Sequence, residues 1–232
     1  VFLSFADFGM SIGLQSSLTK CFGSNNQEKP AYYISSSLFL ITIISSVIMG
    51  VSYLVLQIID VSNLIEVGDG LSNIANSTAI TILLVFILGV PAGLFQRVFI
   101  AYQEGVTANV ALIIGRLLGL LSVFCCVYLE QSLPVMVFFY TIMPSVIVYI
   151  AAIRYMKRKS FLAPHYKKIA FGYVKEMSKV GFQGLRAQVG AAVMTNGPLM
   201  VLAVSFGAKA IVPFVLAQRI LSVLIMAIGV FL

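Results

Sequence analysis

Tyr155 to Lys179 reads YMKRKSFLAPHYKKIAFGYVKEMSK and holds seven of the chain's fifteen Lys and Arg residues: Lys157, Arg158, Lys159, Lys167, Lys168, Lys175 and Lys179. The 232-residue chain around it is 60% hydrophobic and 10% charged, with a mean hydropathy of +1.03. A soluble domain is about half apolar and about a quarter charged. A chain this apolar needs a bilayer as solvent, and its basic charge then gathers where the chain leaves the bilayer. The net charge of +7 does not point to nucleic acid, because a basic face for phosphate backbones needs a soluble fold to carry it.

Working outward, about 20 apolar residues cross the hydrocarbon core as a helix. That rule predicts seven helical segments, at 1–19, 33–59, 79–102, 109–129, 134–154, 180–204 and 211–232, with none of the ten-residue alternation of a barrel. The fold class expected is an all-α polytopic membrane protein. The chain opens VFLSFADFGM and stops in IMAIGVFL, and the expectation is that it is a piece of a longer membrane protein.

The loop charges sort by side. Lys20 and Lys29, then Arg97, then Arg154 with the seven of the opening stretch, fall in alternate loops. The other loops hold Asp60, Glu66, Asp69 and Glu130 but only one basic residue, Lys209. Eleven basic residues against one places 20–30 and 155–179 in the cytoplasm. The basic stretch also lies where it meets anionic membrane lipid. It is long for a helix connection and carries its own Pro164. A long cytoplasmic link between bundles marks a boundary between transporter halves. The expected organisation is a first lobe at 1–154, a linker at 155–179 and the start of a second lobe at 180–232.

The motifs of catalysis are missing. One His, His165, rules out H-E-x-x-H; G-x-S-x-G and the Walker sequence are absent. No span carries a pair of acids for acid–base work or for a metal. Cys21, Cys125 and Cys126 have no metal or disulfide spacing. No enzyme activity, cofactor or metal is expected. GMSIG at 9–13, GVPAG at 89–93 and GRLLG at 115–119 each put two glycines on one helix face, a signature of close helix packing. Pro91, Pro144 and Pro198 are expected kink sites, the last strengthened by Asn196-Gly197.

Charged residues inside spans are costly and point to function. Asp7 lies about 20 Å above Lys20 on a continuous helix. It is a candidate for proton or cation coupling, with helix packing as the alternative. Arg116 sits a turn or two into its predicted helix, where it snorkels to the cytoplasm. Arg186 and Arg219 lie deeper, at similar depths, with no acid in their own spans. Each therefore needs a wet cavity or backbone carbonyls. Gln183 shares the Arg186 face, and Asn196 lies at the Pro198 bend; both join the two arginines as candidate substrate-binding residues.

ADFGMSIGLQSSLTKCFGSNNQEKPAYYISSSLFL, from Ala6, resembles the second helix, loop and third helix of the Wzx-type O-antigen flippases, with Asp7, Gly9, Gly13, Leu14, Leu18 and Thr19 on the pattern. GVPAGLFQRVFIAYQEGVTANV, residues 89–110, is similar to that family's fourth-to-fifth helix junction through Gln96, Tyr102, Gln103, Glu104, Gly105 and Asn109. VGFQGLRAQVGAAVMTNGPLMVLAVSFGAKAIVPF is similar to its seventh helix and turn. The likeness implies the multidrug/oligosaccharidyl-lipid/polysaccharide exporter superfamily: twelve helices in two lobes, of which this chain spans the second to eighth. It implies flipping of an undecaprenyl-pyrophosphate-linked oligosaccharide across the bacterial inner membrane. It also implies lipid-linked oligosaccharide as substrate and polymerase and chain-length proteins as partners. The guanidinium forks of Arg186 and Arg219 suit a pyrophosphate linker. Two other readings stay open: a cation-coupled multidrug exporter of the same fold, and a membrane-embedded polysaccharide enzyme.

Overall fold

The computed structural model describes residues 9–58, 72–206, 213–218 and 221. Six α-helices account for most of them: α1 Met10–Gly23, α2 Pro30–Ile58, α3 Ser72–Ala101, α4 Gly105–Tyr128, α5 Leu133–Arg158 and α6 Phe171–Phe206. No strand occurs among the described residues. Helices satisfy every backbone group within their own segment, which hydrocarbon demands. Four of them, α2 to α5, are long and apolar enough to span a membrane. The protein is all-helical and membrane-embedded. The span expected at 1–19 is described from residue 9, with α1 running on to Gly23, while most of the one expected at 211–232 lies outside the described residues.

Three turns are built alike. α1, α3 and α4 each end on a residue with positive φ: Asn25 (50°), Gln103 (60°) and Glu130 (50°). In each case the next residue's N–H reaches back five positions. Asn26 N–H donates to Cys21 O at 2.9 Å, Glu104 N–H to Phe99 O at 2.8 Å and Gln131 N–H to Cys126 O at 2.9 Å. This is the Schellman closure, which glycine usually serves. Here Asn, Gln and Glu occupy the left-handed position instead.

Glycine acts where backbones meet. A Cβ on Gly115 would sit 2.5 Å from Pro144 Cα, and one on Gly119 would sit 2.9 Å from Tyr140 O. GRLLG is therefore the seam between α4 and α5. GMSIG is the seam between α1 and α6: Gly9 lies on the Gly181 carbonyl and Gly13 on the Met177 carbonyl, with no room for a side chain. GVPAG is no seam, since Gly93 has open space and Gly89 meets only Ser145 Oγ at 3.7 Å. The helices also run on through Pro91, Pro144 and Pro198. At Pro91, which has no N–H for Ile87, the neighbouring Leu88 carbonyl accepts the Tyr149 hydroxyl at 2.7 Å.

The chain divides into two compact units, the first reaching Leu185 and the second starting at Arg186. Of the stretch expected as a linker, 155–179, the first residues belong to α5, which continues to Arg158, and the last to α6, which begins at Phe171. Between them lie two short 3-10 turns, Ser160–Leu162 and Tyr166–Lys168. The first unit buries Leu14 and Leu18 of α1, Ile34 of α2, Phe99 of α3, Val148 of α5, Leu162 of the linker and Met177 of α6 in one core. Burying Leu162 contributes about 1.5–3 kcal/mol toward holding the linker against the bundle.

Candidate functional site

The basic ends of the helices converge. Phe22 after Lys20, Tyr102 after α3 and Phe161 of the linker form an aromatic row, with ring centroids 5.4 and 6.0 Å apart. The loops that carry most of the basic charge therefore share one end of the bundle.

At this end the start of α2 clasps the linker. Its residues Ser35, Ser36 and Ser37 are all buried. Ser35 Oγ accepts from His165 N–H at 2.9 Å. Ser36 Oγ accepts from Ala170 N–H at 3.0 Å and donates to Ala170 O at 3.3 Å. Ser37 Oγ lies 3.1 Å from Met177 Sδ. Beside them the Tyr33 hydroxyl donates to Glu176 Oε2 at 2.7 Å, while Tyr173 stacks on Tyr32 and meets Tyr33 edge-on. Serine suits this role because a linker outside regular structure has backbone groups to satisfy, and a short hydroxyl can both donate and accept.

A second fixture pins the linker to α3 and α5. Lys159 Nζ donates to Tyr155 Oη at 2.9 Å, lies 4.0 Å from Glu104 Oε1 and sits over the Tyr155 ring at 4.8 Å. It borders a pocket of about 90 Å³ together with Asn25, Asn26, Gln27 and Tyr102. That is room for about three waters. Tyr102, in the turn beyond α3, is buried, and its hydroxyl has no hydrogen-bond partner among the described residues. Burial pushes that hydroxyl above the usual tyrosine range, and Cys21 and Tyr155 beside it add to the shift. Burial likewise raises the Cys21 thiol, with Lys29 opposing and Glu176 adding. The protein itself engages Lys159, so the clasp and the pin act as anchors of the linker.

The predicted site residues are placed unevenly. Asp7 and Arg219 lie outside the described residues. Asn196 falls in α6, but its side chain lies outside them too. Gln183 and Arg186 are exposed on α6. The expected Arg186–Arg219 pair therefore falls partly outside the described residues. Among the described residues no three His, Cys, Asp or Glu side chains gather as metal ligands.

Arg116 requires a correction. It does not sit a turn or two into its helix, because α4 starts at Gly105 and not at 109. Arg116 is eleven residues from Gly105 and twelve from Tyr128, and it is exposed. It follows Gly115, whose partner Pro144 lies in the middle of α5. Either end of α4 is about 17 Å away, farther than an arginine side chain reaches. No hydrogen bond or ion pair engages it among the described residues. Such a cation costs about 2.5–3.5 kcal/mol at mid-bilayer on insertion scales unless water or an anion meets it. Gly105, which starts α4 just beyond the Gln103 turn, is the signal that could have shown this depth.

The chain matches no protein-family model, no curated protein and no solved structure. The functional reading therefore rests on its own residues.

Proposed function

We propose that this chain is part of a flippase that carries an undecaprenyl-pyrophosphate-linked oligosaccharide across a bacterial inner membrane, with residues 155–179 on the cytoplasmic side. The observation that carries the reading is Arg116, an exposed cation midway along a membrane-spanning helix with no acid engaging it. A pyrophosphate crossing the bilayer needs a positive group at mid-depth, and a guanidinium can grip two of its oxygens at once. Arg186, Arg219, Gln183 and Asn196 are further candidates on sequence grounds. Asp7 is the candidate for coupling the cycle to a proton or cation. The sequence likeness to Wzx-type transporters over 6–40, 89–110 and 180–214 supports the same substrate class. Substrate and product are the same molecule in this reading, so no catalytic group is assigned. Deleting the gene and analysing lipid-linked intermediates tests it. Complete repeat units should accumulate on the cytoplasmic leaflet. Incomplete repeat units, or complete ones delivered normally but left unpolymerised, would point to an enzyme of the pathway instead.

A further inference from the structure

A groove of about 290 Å³ lies between α2 and the folded linker. One wall is Leu38, Phe39 and Thr42 of α2, and the other is Pro164, Tyr166 and Ile169 of the linker. The two walls face different solvents. Leu38 to Thr42 belong to a membrane-spanning stretch, and Phe39 and Ile43 on it are 45% and 44% exposed, as a surface against acyl chains is. The linker wall lies at the basic end. Its turn presents Tyr166, 73% exposed, between His165 and Lys167.

The turn is preformed. His165 N–H is held by Ser35 Oγ, and Lys167 N–H donates to His165 Nδ1 at 3.2 Å. The His165 and Tyr166 rings stack at 4.8 Å. Lys167 Nζ sits 5.8 Å from the Tyr166 ring, and Lys168 Nζ sits 5.6 Å from the Tyr32 ring. No acidic side chain lines the groove. The groove is thus apolar toward the bilayer, aromatic at the interface level and cationic beyond it. Its volume is near the ~300 Å³ lower end of small-molecule pockets.

From this arrangement we propose that the groove binds one anionic phospholipid, with an acyl chain along Leu38, Phe39 and Thr42 and the phosphate at the His165–Lys168 turn. Tyrosine at the interface and paired lysines beside it are the side chains that select an anionic headgroup. The site is independent of the transported substrate. Its consequence is that leaflet lipid supports the linker where Pro164, Tyr166 and Ile169 face α2.

Native mass spectrometry of the full chain from detergent micelles tests the assignment, with dioleoyl phosphatidylglycerol or dioleoyl phosphatidylcholine added at equal amounts. One phosphatidylglycerol should be retained in preference to phosphatidylcholine. Lys167→Gln with Lys168→Gln should weaken retention about thirtyfold. Lys20→Gln with Lys175→Gln, equal in charge removed, should leave it unchanged. Thr42→Phe, a surface change that fills the groove and keeps every lysine, should abolish it; this variant decides the matter if the double lysine variant does not accumulate. Equal retention of the two lipids would overturn the proposal. So would an equal loss in the Lys20/Lys175 variant, which would mean diffuse attraction. Equal retention of glycerol phosphate without acyl chains would also overturn it, because a soluble phosphate would then be the ligand.

Discussion

The Tyr33 hydroxyl donates to Glu176 Oε2 at 2.7 Å, tying the first turns of α2 to the first turns of α6 across 143 residues of sequence. Tyr33 is buried while Glu176 reaches solvent, so the bond closes the edge of the core at the basic end. A hydrogen bond to a charged group contributes about 1.5–3 kcal/mol, less where water competes. Tyr33→Phe should therefore cost about 1–2 kcal/mol. It should also speed proteolysis within 159–170, because the clasp loses its neighbour. Thermal unfolding in detergent and limited proteolysis check both effects. An unchanged cleavage rate would mean that Ser35 and Ser36 hold the linker by themselves.

The glycine seams make sharper predictions. Gly13→Ala places a methyl group on the Met177 carbonyl, a backbone atom that cannot yield without separating α1 from α6. Overpacking of this kind costs about 1–3 kcal/mol or more. Gly93→Ala meets nothing within 4 Å and exchanges glycine for a better helix former, so it should be neutral or stabilising by up to about 1 kcal/mol. Thermal unfolding of the two variants side by side separates packing from composition.

Glu130 holds a left-handed conformation that costs an L-residue about 1–2 kcal/mol. Glu130→Gly keeps the Gln131 N–H to Cys126 O closure and removes that cost. The variant should unfold at a higher temperature, offset in part by the greater freedom of glycine in the unfolded chain. A lower unfolding temperature would mean that the Glu130 side chain holds the turn in another way.

Tyr102 carries the pH dependence. Its folded-state hydroxyl titrates above the unfolded value near 10, with burial as the main cause. A group raised in this way contributes stability that is fully present below the unfolded pKa. That stability is lost as pH climbs from about 10 toward the folded value. Tyr102→Phe removes the titration and an unsatisfied buried hydroxyl together. It should be near neutral or slightly stabilising at pH 7, and should flatten the decline above pH 10. An equal decline in both proteins would assign the alkaline sensitivity to other groups.

The helices of the bundle were legible in the sequence because apolar runs of spanning length leave a chain in hydrocarbon one way to satisfy its backbone. The convergence of Lys20, Lys29, Arg97 and the 155–179 stretch at one end was legible too, from charge alternation. The turns were less so. Glycine announces a left-handed helix end, whereas Asn25, Gln103 and Glu130 do not, and missing the Gln103 turn misplaced the start of α4 and with it the depth of Arg116. GVPAG and GRLLG look alike in sequence. Only one meets Pro144 and Tyr140 across a seam, and the neighbour's identity is not written in the motif. The Ser35–Ser37 clasp was hidden for a related reason. Three serines at a helix start read as a local signal, yet their partners, His165, Ala170 and Met177, lie far along the chain.

The central claim is that Arg116 at mid-bilayer meets the pyrophosphate of a translocated lipid. It is tested most directly in proteoliposomes that hold the full protein and a fluorescent polyprenyl-pyrophosphate oligosaccharide, by following the fraction quenched from outside over time. The account predicts that wild-type protein exposes the inner-leaflet pool. Arg116→Ala should slow this at least tenfold at equal protein incorporation, Arg116→Lys should keep part of the rate because the charge survives without the fork, and Arg186→Ala should slow it as well. A rate for Arg116→Ala equal to wild type, or no exposure by the wild-type protein at all, would contradict it.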